Sequence, residues 1–219
     1  MRINESGRSM IEMLGVLAII GVLSVGGIAG YTKAMNKYRT NKVVDQVTMI
    51  VTNIRTLYAM QRNYNGLDQD NALEMGVIPD ELGTTTTDLT NNNPFNGAVK
   101  INAVVSGMEA GSSSSDKKAF EVAFTGLSKE ACVALATGDW GSGHSAGLIA
   151  IGAYDDGTST LGTEDTAKLK SNGSPCDGDA SNIACAGNAT NGVPMAVTKA
   201  ATACACNTGN SCSVVWKYF

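Results

Sequence analysis

GRSMIEMLGVLAIIGVLSVGGIAGY, residues 7–31, contains the stretch that decides the fold, a predominantly apolar run over residues 13–31. Each residue of a helix rises about 1.5 Å, so about 20 apolar residues span the roughly 30 Å hydrocarbon core of a bilayer. Glu12 places a carboxylate at the entrance to this run, where a charge costs far more than it does in water. The stretch therefore predicts a membrane-spanning helix with an acidic residue at its start.

Two simpler explanations of the apolar run need to be weighed. A secretory signal has an apolar stretch of about 7–15 residues followed by a cleavage site between small residues, and this run is longer. A plain transmembrane anchor fits the hydropathy equally well but gives no reason for Gly7 ahead of Glu12. Arg2 and Arg8 lie on the N-terminal side of the run, so the positive-inside rule keeps this end cytoplasmic and predicts export of the rest.

Helical spacing continues beyond the apolar run. Apolar residues recur there in steps of three and four and share one helix face: Val43, Val47, Ile50, Ile54 and Leu57. No proline occurs before Pro79, so we expect a single helix over about residues 9–61. Its first half is apolar all round and its second half has one apolar face. This pattern predicts a helix that protrudes through its first half and packs on a sheet through its second.

Alternation of apolar and polar residues predicts strands in the remainder of the chain. Residues 99–104 and 119–124 alternate and predict an antiparallel hairpin, and residues 147–151 and 213–219 predict two further strands. The expected fold class is α+β: a long N-terminal helix with its apolar half protruding, packed on an antiparallel sheet, with a disulfide-stabilised C-terminal region.

Helix-capping and turn-forming residues predict the connections between these elements. We expect short helices at residues 68–75 and 128–137, the second of them capped by Ser128. Residues 93–97, Asn-Pro-Phe-Asn-Gly, predict a turn. Residues 155–192 are rich in Asp, Gly, Asn and Ser, and they predict exposed irregular structure.

Composition excludes several classes of function. A net charge of −4 and a pI near 5.0 argue against a nucleic-acid binder, which ordinarily carries a basic patch. The single histidine, His144, lies in a glycine- and serine-rich stretch without catalytic partners, so we predict neither an enzyme nor a cofactor. Asp177 and Asp179 resemble the start of a calcium loop, but Asn188 stands where the loop needs a glutamate, so we predict no metal site.

Cysteine usage agrees with export. All six cysteines lie in the second half of the chain, and an even number in an oxidising compartment indicates disulfides. Six cysteines allow 15 complete pairings, among which the sequence alone does not decide. The spacing Cys204-Ala-Cys206 is not the Cys-x-x-Cys of common zinc sites, which favours disulfides over a metal.

Gly7, four residues and Glu12 ahead of an apolar helix resemble the prepilin signal of type IV pilins. The remainder is similar to the type IVb subclass, which has a large C-terminal domain, a short helix with a cysteine, here residues 128–137, and a cysteine shortly before a last strand. The resemblance implies that a prepilin peptidase cuts between Gly7 and Arg8 and that the new amino group of Arg8 is N-methylated. It also implies that Glu12 pairs with the amino group of a neighbouring subunit, which sets the register of assembly. Arg8 departs from the usual apolar first residue of mature pilins.

The resemblance also bears on the disulfides. The family's C-terminal bridge implies that Cys132 pairs with Cys204 or Cys206, and the four further cysteines exceed the family pattern. Neighbouring cysteines need only short loops to pair. With that bridge, they lead us to predict three disulfides: Cys132–Cys204, Cys176–Cys185 and Cys206–Cys212.

The function implied is that of a structural pilin subunit, which polymerises through its N-terminal helix into an extracellular type IV pilus. Its partners would be copies of itself, the prepilin peptidase, the inner-membrane pilus assembly machinery and, before assembly, the inner membrane itself; no nucleic acid is indicated. Alternatives are a minor pilin or tip adhesin, a secretion-system pseudopilin, or a membrane-anchored exported binding protein. The expected domains are a prepilin leader (1–7), a transmembrane and filament-core helix (8–31), an amphipathic helix half (32–62), a connecting loop (63–97) and a β-rich globular domain (98–219).

Overall fold

The computed structural model describes residues 10–104, 117–141, 147–155, 183–186, 193–207, 209 and 211–219. Within them the helices are α1 (Met10–Tyr58), α2 (Gln69–Glu74), α3 (Lys129–Thr137) and α4 (Val197–Ala203). The strands are β1 (Val99–Val104), β2 (Ala119–Leu127), β3 (Leu148–Tyr154), β4 (Ile183–Ala186) and β5 (Cys212–Tyr218). The chain divides into two compact units, one ending at Tyr38 and the other comprising Arg39–Phe219.

Helix α1 confirms the predicted long helix and ends three residues before its expected end. Its buried side chains all lie in the second unit, and they recur in steps of three and four: Val43, Gln46, Val47, Ile50, Val51, Ile54 and Tyr58. The apolar residues of this set join one hydrophobic core with the inward side chains of the sheet, among them Phe120, Phe124 and Trp216. The amphipathic part of α1 is therefore held by burial of its apolar face rather than by helix propensity alone.

The strands form one antiparallel sheet in the order β1-β2-β5-β3-β4. The hairpin β1–β2 confirms the predicted one, with Val99 opposite Phe124 and Val104 opposite Ala119. The last strand of the chain, β5, lies at the centre and pairs with β2 on one side and β3 on the other. The α+β class, a long N-terminal helix with an antiparallel sheet, is confirmed.

Side-chain caps begin both short helices, and the one at Ser128 was predicted from the sequence. The Asp68 carboxylate accepts a hydrogen bond from the Asn71 N–H at 2.8 Å and so caps α2. The Ser128 hydroxyl accepts one from the Ala131 N–H at 3.3 Å and caps α3. Both short helices predicted from the sequence are present.

Two elements differ from the sequence-based expectation. The prediction of irregular structure over residues 155–192 is wrong at β4, because Ile183 pairs with Tyr154 at the edge of the sheet. Helix α4 was not predicted, although its alanine-rich sequence is compatible with a helix. The expectation for the rest of the irregular region lies outside the described residues. Both β4 and α4 are short segments with weak local patterns, so the sequence alone does not indicate their secondary structure.

Asn93 organises the turn that precedes β1. Its side-chain oxygen accepts hydrogen bonds from the N–H groups of Phe95 and Gly97, at 2.8 and 2.9 Å. Its side-chain nitrogen donates to the carbonyl oxygens of Ala98 and Thr125, at 3.1 and 2.8 Å. The side chain is buried, and its four bonds satisfy backbone groups that are buried or partly buried.

A close backbone approach fixes the same turn to β2. A Cβ atom at Gly97 would meet the carbonyl group of Thr125, and Gly126 lies directly against the backbone of Gly97. Gly126 also has a φ of +74°, a conformation that side chains with a Cβ rarely adopt. The turn residues are therefore set by backbone contact as well as by local turn preference.

Asn93→Ala is expected to lower the free energy of unfolding by about 3 kcal/mol, because it leaves buried backbone donors and acceptors without partners. The measurement is urea or thermal unfolding of the full chain in detergent, followed by circular dichroism. Asn91→Ala is the matched control, because Asn91 is exposed and its side chain donates to the exposed Thr90 hydroxyl. The control should lose less than about 0.5 kcal/mol. Equal losses in the two variants would contradict the role assigned to Asn93.

Candidate assembly surface

The first part of α1 presents apolar side chains that nothing in the described structure covers. Met10, Val22 and Val25 are exposed to 86%, 76% and 72%, and the residues between them are exposed as well. By length and composition α1 is able to cross a membrane. A helix of a soluble domain ordinarily buries its apolar stripe against a core. This segment therefore needs lipid or another protein to cover it.

Glu12 lies in the first turn of α1 with its side chain exposed. A carboxylate there is favoured by the partial positive charge of the helix N-terminus. Gly7 and Arg8, the predicted cleavage and methylation positions, lie outside the described residues. Cleavage, methylation and the pairing of Glu12 with an amino group therefore stay predictions.

Two disulfides close the C-terminal region. Cys132 of α3 is bonded to Cys204, directly after α4, with a Cα–Cα distance of 5.7 Å. Cys206 is bonded to Cys212, the first residue of β5, at 5.0 Å. The four cysteines are buried. These are two of the three predicted pairs, and the third, Cys176–Cys185, involves side chains outside the described part of the chain.

The described residues bring together no group of three or more His, Cys, Asp or Glu side chains that could hold a metal ion. His144 and the calcium-like stretch with Asp177, Asp179 and Asn188 lie outside these residues. The expectation that they form no site stays a prediction.

Arg55 links α1 to the end of the chain, a role that the sequence did not indicate. Its Nε donates a hydrogen bond to the carbonyl oxygen of Phe219 at 3.1 Å, and its guanidinium lies 5.2 Å from the centre of the Tyr218 ring. Burial raises the pKa of Tyr218 to about 12, and the charge of Arg55 opposes part of that rise. Gly147 admits this arrangement, because a Cβ there would meet the guanidinium. No local pattern connects positions 164 residues apart.

A second polar contact joins α1 to the turn at Asp80–Leu82. Gln46 Nε2 donates to Glu81 Oε1 at 2.6 Å, and Lys42 Nζ lies 3.0 Å from Glu81 Oε2. The hydrogen bond from Gln46, then that from Lys42, lowers the pKa of Glu81 below its ordinary value. Gln46 is buried on the apolar face of α1, where a polar residue needs such a partner.

A long N-terminal helix, apolar and exposed in its first part and packed on an antiparallel sheet in its second, with a disulfide near the C-terminus, defines a type IV pilin. The description of the Bundlin family matches residues 32–218, and the chain belongs to this family. The resemblance to type IVb pilins stated from the sequence is thereby confirmed.

Two relatives from Escherichia coli agree with this assignment. The chain is 28% identical over 163 residues to a protein of Escherichia coli O111:H- described as the major structural subunit of bundle-forming pilus, covering 74% of this chain and 80% of that protein. Its counterpart in Escherichia coli O127:H6 (strain E2348/69 / EPEC) matches with the same identity and coverage. Among solved structures, TcpA, a type IV pilin of Vibrio cholerae El Tor biotype, matches with a TM-score of 0.45 and 17% identity, over 83% of this chain and 99% of that chain.

Proposed function

We propose that this chain is a major structural subunit of an extracellular type IV pilus and polymerises through α1. The observation that carries the proposal is the exposed apolar surface of α1 over residues 10–31. Membership of the Bundlin family and the role printed for the two Escherichia coli relatives support it. The function requires no catalytic group, so we propose that the protein is not an enzyme.

The apolar surface of α1 must be buried both before and after assembly. Before assembly, residues 8–31 lie in the inner membrane, where lipid covers them. After assembly, copies of the same segment cover one another in the filament core. Residues 32–62 and the connecting loop, residues 63–97, then join this core to the globular domain, residues 98–219, which forms the surface of the filament. The inner-membrane assembly machinery moves the subunit between the two environments.

Prepilin peptidase cleavage between Gly7 and Arg8 prepares the subunit for this step. It creates an amino group at Arg8, which is subsequently N-methylated. In an apolar filament core the Glu12 carboxylate must meet a positive partner or become neutral. The amino group of Arg8 in a neighbouring subunit is that partner, and their pairing selects one axial register.

Gly7→Glu is expected to abolish processing, because the substitution replaces the residue after which the peptidase cuts. The variant should remain in the membrane fraction at the full-length mass, and sheared fractions should contain no filaments. Ser6→Ala, one position earlier, is the matched control and should be processed normally. Filaments built from unprocessed Gly7→Glu protein would contradict the proposed cleavage. Intact-mass spectrometry of both fractions makes the distinction.

A further inference from the structure

Two Asn-Gly dipeptides of the described chain share a sequence but differ in their surroundings. One is Asn65-Gly66, between α1 and α2, and the other is Asn96-Gly97, in the turn before β1. Asparagine is among the thermolabile side chains, because its amide carbon is open to attack by a nucleophile. The nearest nucleophile is the backbone nitrogen of the next residue, and a glycine there has no side chain to shield it. The Asn-Gly dipeptides at 172–173 and 191–192 lie outside the described residues.

Gly66 presents its backbone nitrogen to solvent. Asn65 and Gly66 are both exposed, and a Cβ atom at Gly66 would meet nothing within 4 Å. Among the described residues, neither the Gly66 N–H nor the Asn65 side-chain amide has a hydrogen-bond partner. The Leu67 N–H donates to the Tyr64 carbonyl oxygen at 3.0 Å, and Gly66 has a φ of +85°, as in a type II turn. Exposed turns open locally at little free-energy cost, so the two reacting groups of this dipeptide are able to meet.

Gly97 keeps the same nitrogen out of reach. Its N–H donates to the Asn93 side-chain oxygen at 2.9 Å, and the residue is buried. A Cβ atom at Gly97 would meet the carbonyl group of Thr125, so the space beside this backbone is filled. Attack by the Gly97 nitrogen would break a buried hydrogen bond, which is costly. Asn96 itself is exposed, so the two dipeptides differ in the glycine nitrogen rather than in the exposure of the asparagine.

We propose that Asn65 is a site of spontaneous modification, where the side-chain amide is converted through a cyclic imide to aspartate or isoaspartate. The Gly66 nitrogen bonds to the Asn65 amide carbon, and the bond from that carbon to Nδ2 breaks. Nδ2 leaves as ammonia with the proton that the Gly66 nitrogen gives up. Solvent water then opens the imide, at the side-chain carbonyl to give aspartate or at the backbone carbonyl to give isoaspartate. Nothing is oxidised or reduced, and water is the co-reactant.

The modification changes a turn that is bonded to the edge of the sheet. Leu67 is buried, and its carbonyl oxygen accepts a hydrogen bond from the Ala103 N–H of the edge strand β1 at 2.9 Å. Aspartate at position 65 adds a charge to an exposed residue and keeps the length of the backbone. Isoaspartate routes the backbone through the side chain and lengthens it by one atom within the turn that ends at Leu67. We therefore expect isoaspartate, and not aspartate, to speed hydrogen exchange of the Ala103 N–H.

Peptide mapping of the folded full chain in detergent tests the inference. The chain is incubated at mildly alkaline pH and digested with a glutamyl endopeptidase, which cuts at Glu74 and so separates the two dipeptides. Modification should accumulate at least tenfold faster at Asn65 than at Asn96, with isoaspartate among the products because the imide yields it. In urea the two dipeptides should react at similar rates. Equal rates in the folded chain, a difference that persists in urea, or aspartate without isoaspartate would overturn the inference.

Asn93→Ala tests the cause assigned to the difference, because it removes the acceptor that holds the Gly97 N–H. In the folded chain it should raise the rate at Asn96 at least threefold and leave the rate at Asn65 unchanged. Asn91→Ala, at an exposed position of the same region, is the matched control and should change neither rate. An unchanged rate at Asn96, or equal rises at both dipeptides, would overturn the inference. The measurement needs no filament, so failure of the chain to assemble would contradict the proposed function and not this inference.

Discussion

Glu12→Ala is expected to reduce the amount of assembled filament at least tenfold while the subunit is still cleaved, oxidised and folded. A buried charge pair that loses one partner typically costs 2–5 kcal/mol, and about 1.4 kcal/mol already corresponds to a tenfold change in an equilibrium constant. In the proposed filament the variant leaves the Arg8 amino group buried without its partner. The measurement is the ratio of subunit in the sheared fraction to subunit in the membrane fraction.

Two controls separate assembly from folding in this experiment. Glu74→Ala removes a carboxylate of the same type from an exposed position on α2 and should leave filament yield unchanged. Unfolding of the Glu12→Ala chain in detergent should match the wild type, because Glu12 is exposed and the folded core is built from residues 43–218. Normal filament yield from Glu12→Ala would contradict a register-setting role for this carboxylate.

The double variant Cys132→Ala/Cys204→Ala is expected to lose about 4 kcal/mol of stability, the largest loss among the described disulfides. The bridge joins residues 72 apart, and a disulfide stabilises mainly by restricting the unfolded chain, more so for longer loops. For a domain of this size the loss corresponds to roughly a 10 °C lower melting temperature. Thermal unfolding of the full chain in detergent measures it.

Cys206→Ala/Cys212→Ala is the matched control, because it removes a bridge with the same chemistry but a sequence separation of only 6. Its expected loss is about 2 kcal/mol. Strand β5 is hydrogen-bonded on both sides, so we expect loss of the longer bridge to loosen α3 from α4 rather than to release β5. A smaller loss from the Cys132 variant than from the control would contradict this order.

The sequence predicts those elements whose local signals agree with their tertiary surroundings. The absence of proline before Pro79 and the steps of three and four on one face are sufficient for α1. Alternation identifies the β1–β2 hairpin because its strands are adjacent along the chain. Ser128 identifies the start of α3 because a cap is a local hydrogen bond.

The remaining features depend on pairings between distant segments. No pattern within residues 213–219 indicates that the last strand occupies the centre of the sheet. Alternation ordinarily places residues such as Glu121 and Lys217 on a solvated face, yet the register sets them opposite each other and both are fully buried. Opposite charges across a strand pair favour each other there. One of the four hydrogen bonds of Asn93 likewise reaches Thr125 of β2, 32 residues away.

Only part of the candidate assembly surface and its surroundings could be predicted from the sequence. Hydropathy and the Gly7–Glu12 spacing point to the apolar segment, because membrane insertion and peptidase recognition act on contiguous sequence. The contacts of Arg55 with Phe219 and Tyr218 carry no such signal, because they join positions far apart in the chain.

Intact-mass spectrometry of the main protein in sheared filaments, with electron microscopy of the same fraction, tests the central claim most directly. The account predicts thin filaments whose major subunit is this chain beginning at Arg8, with the mass of its disulfide-bonded form. Filaments whose main subunit is another protein would contradict the claim, and so would this chain found only in the membrane with residues 1–7 retained.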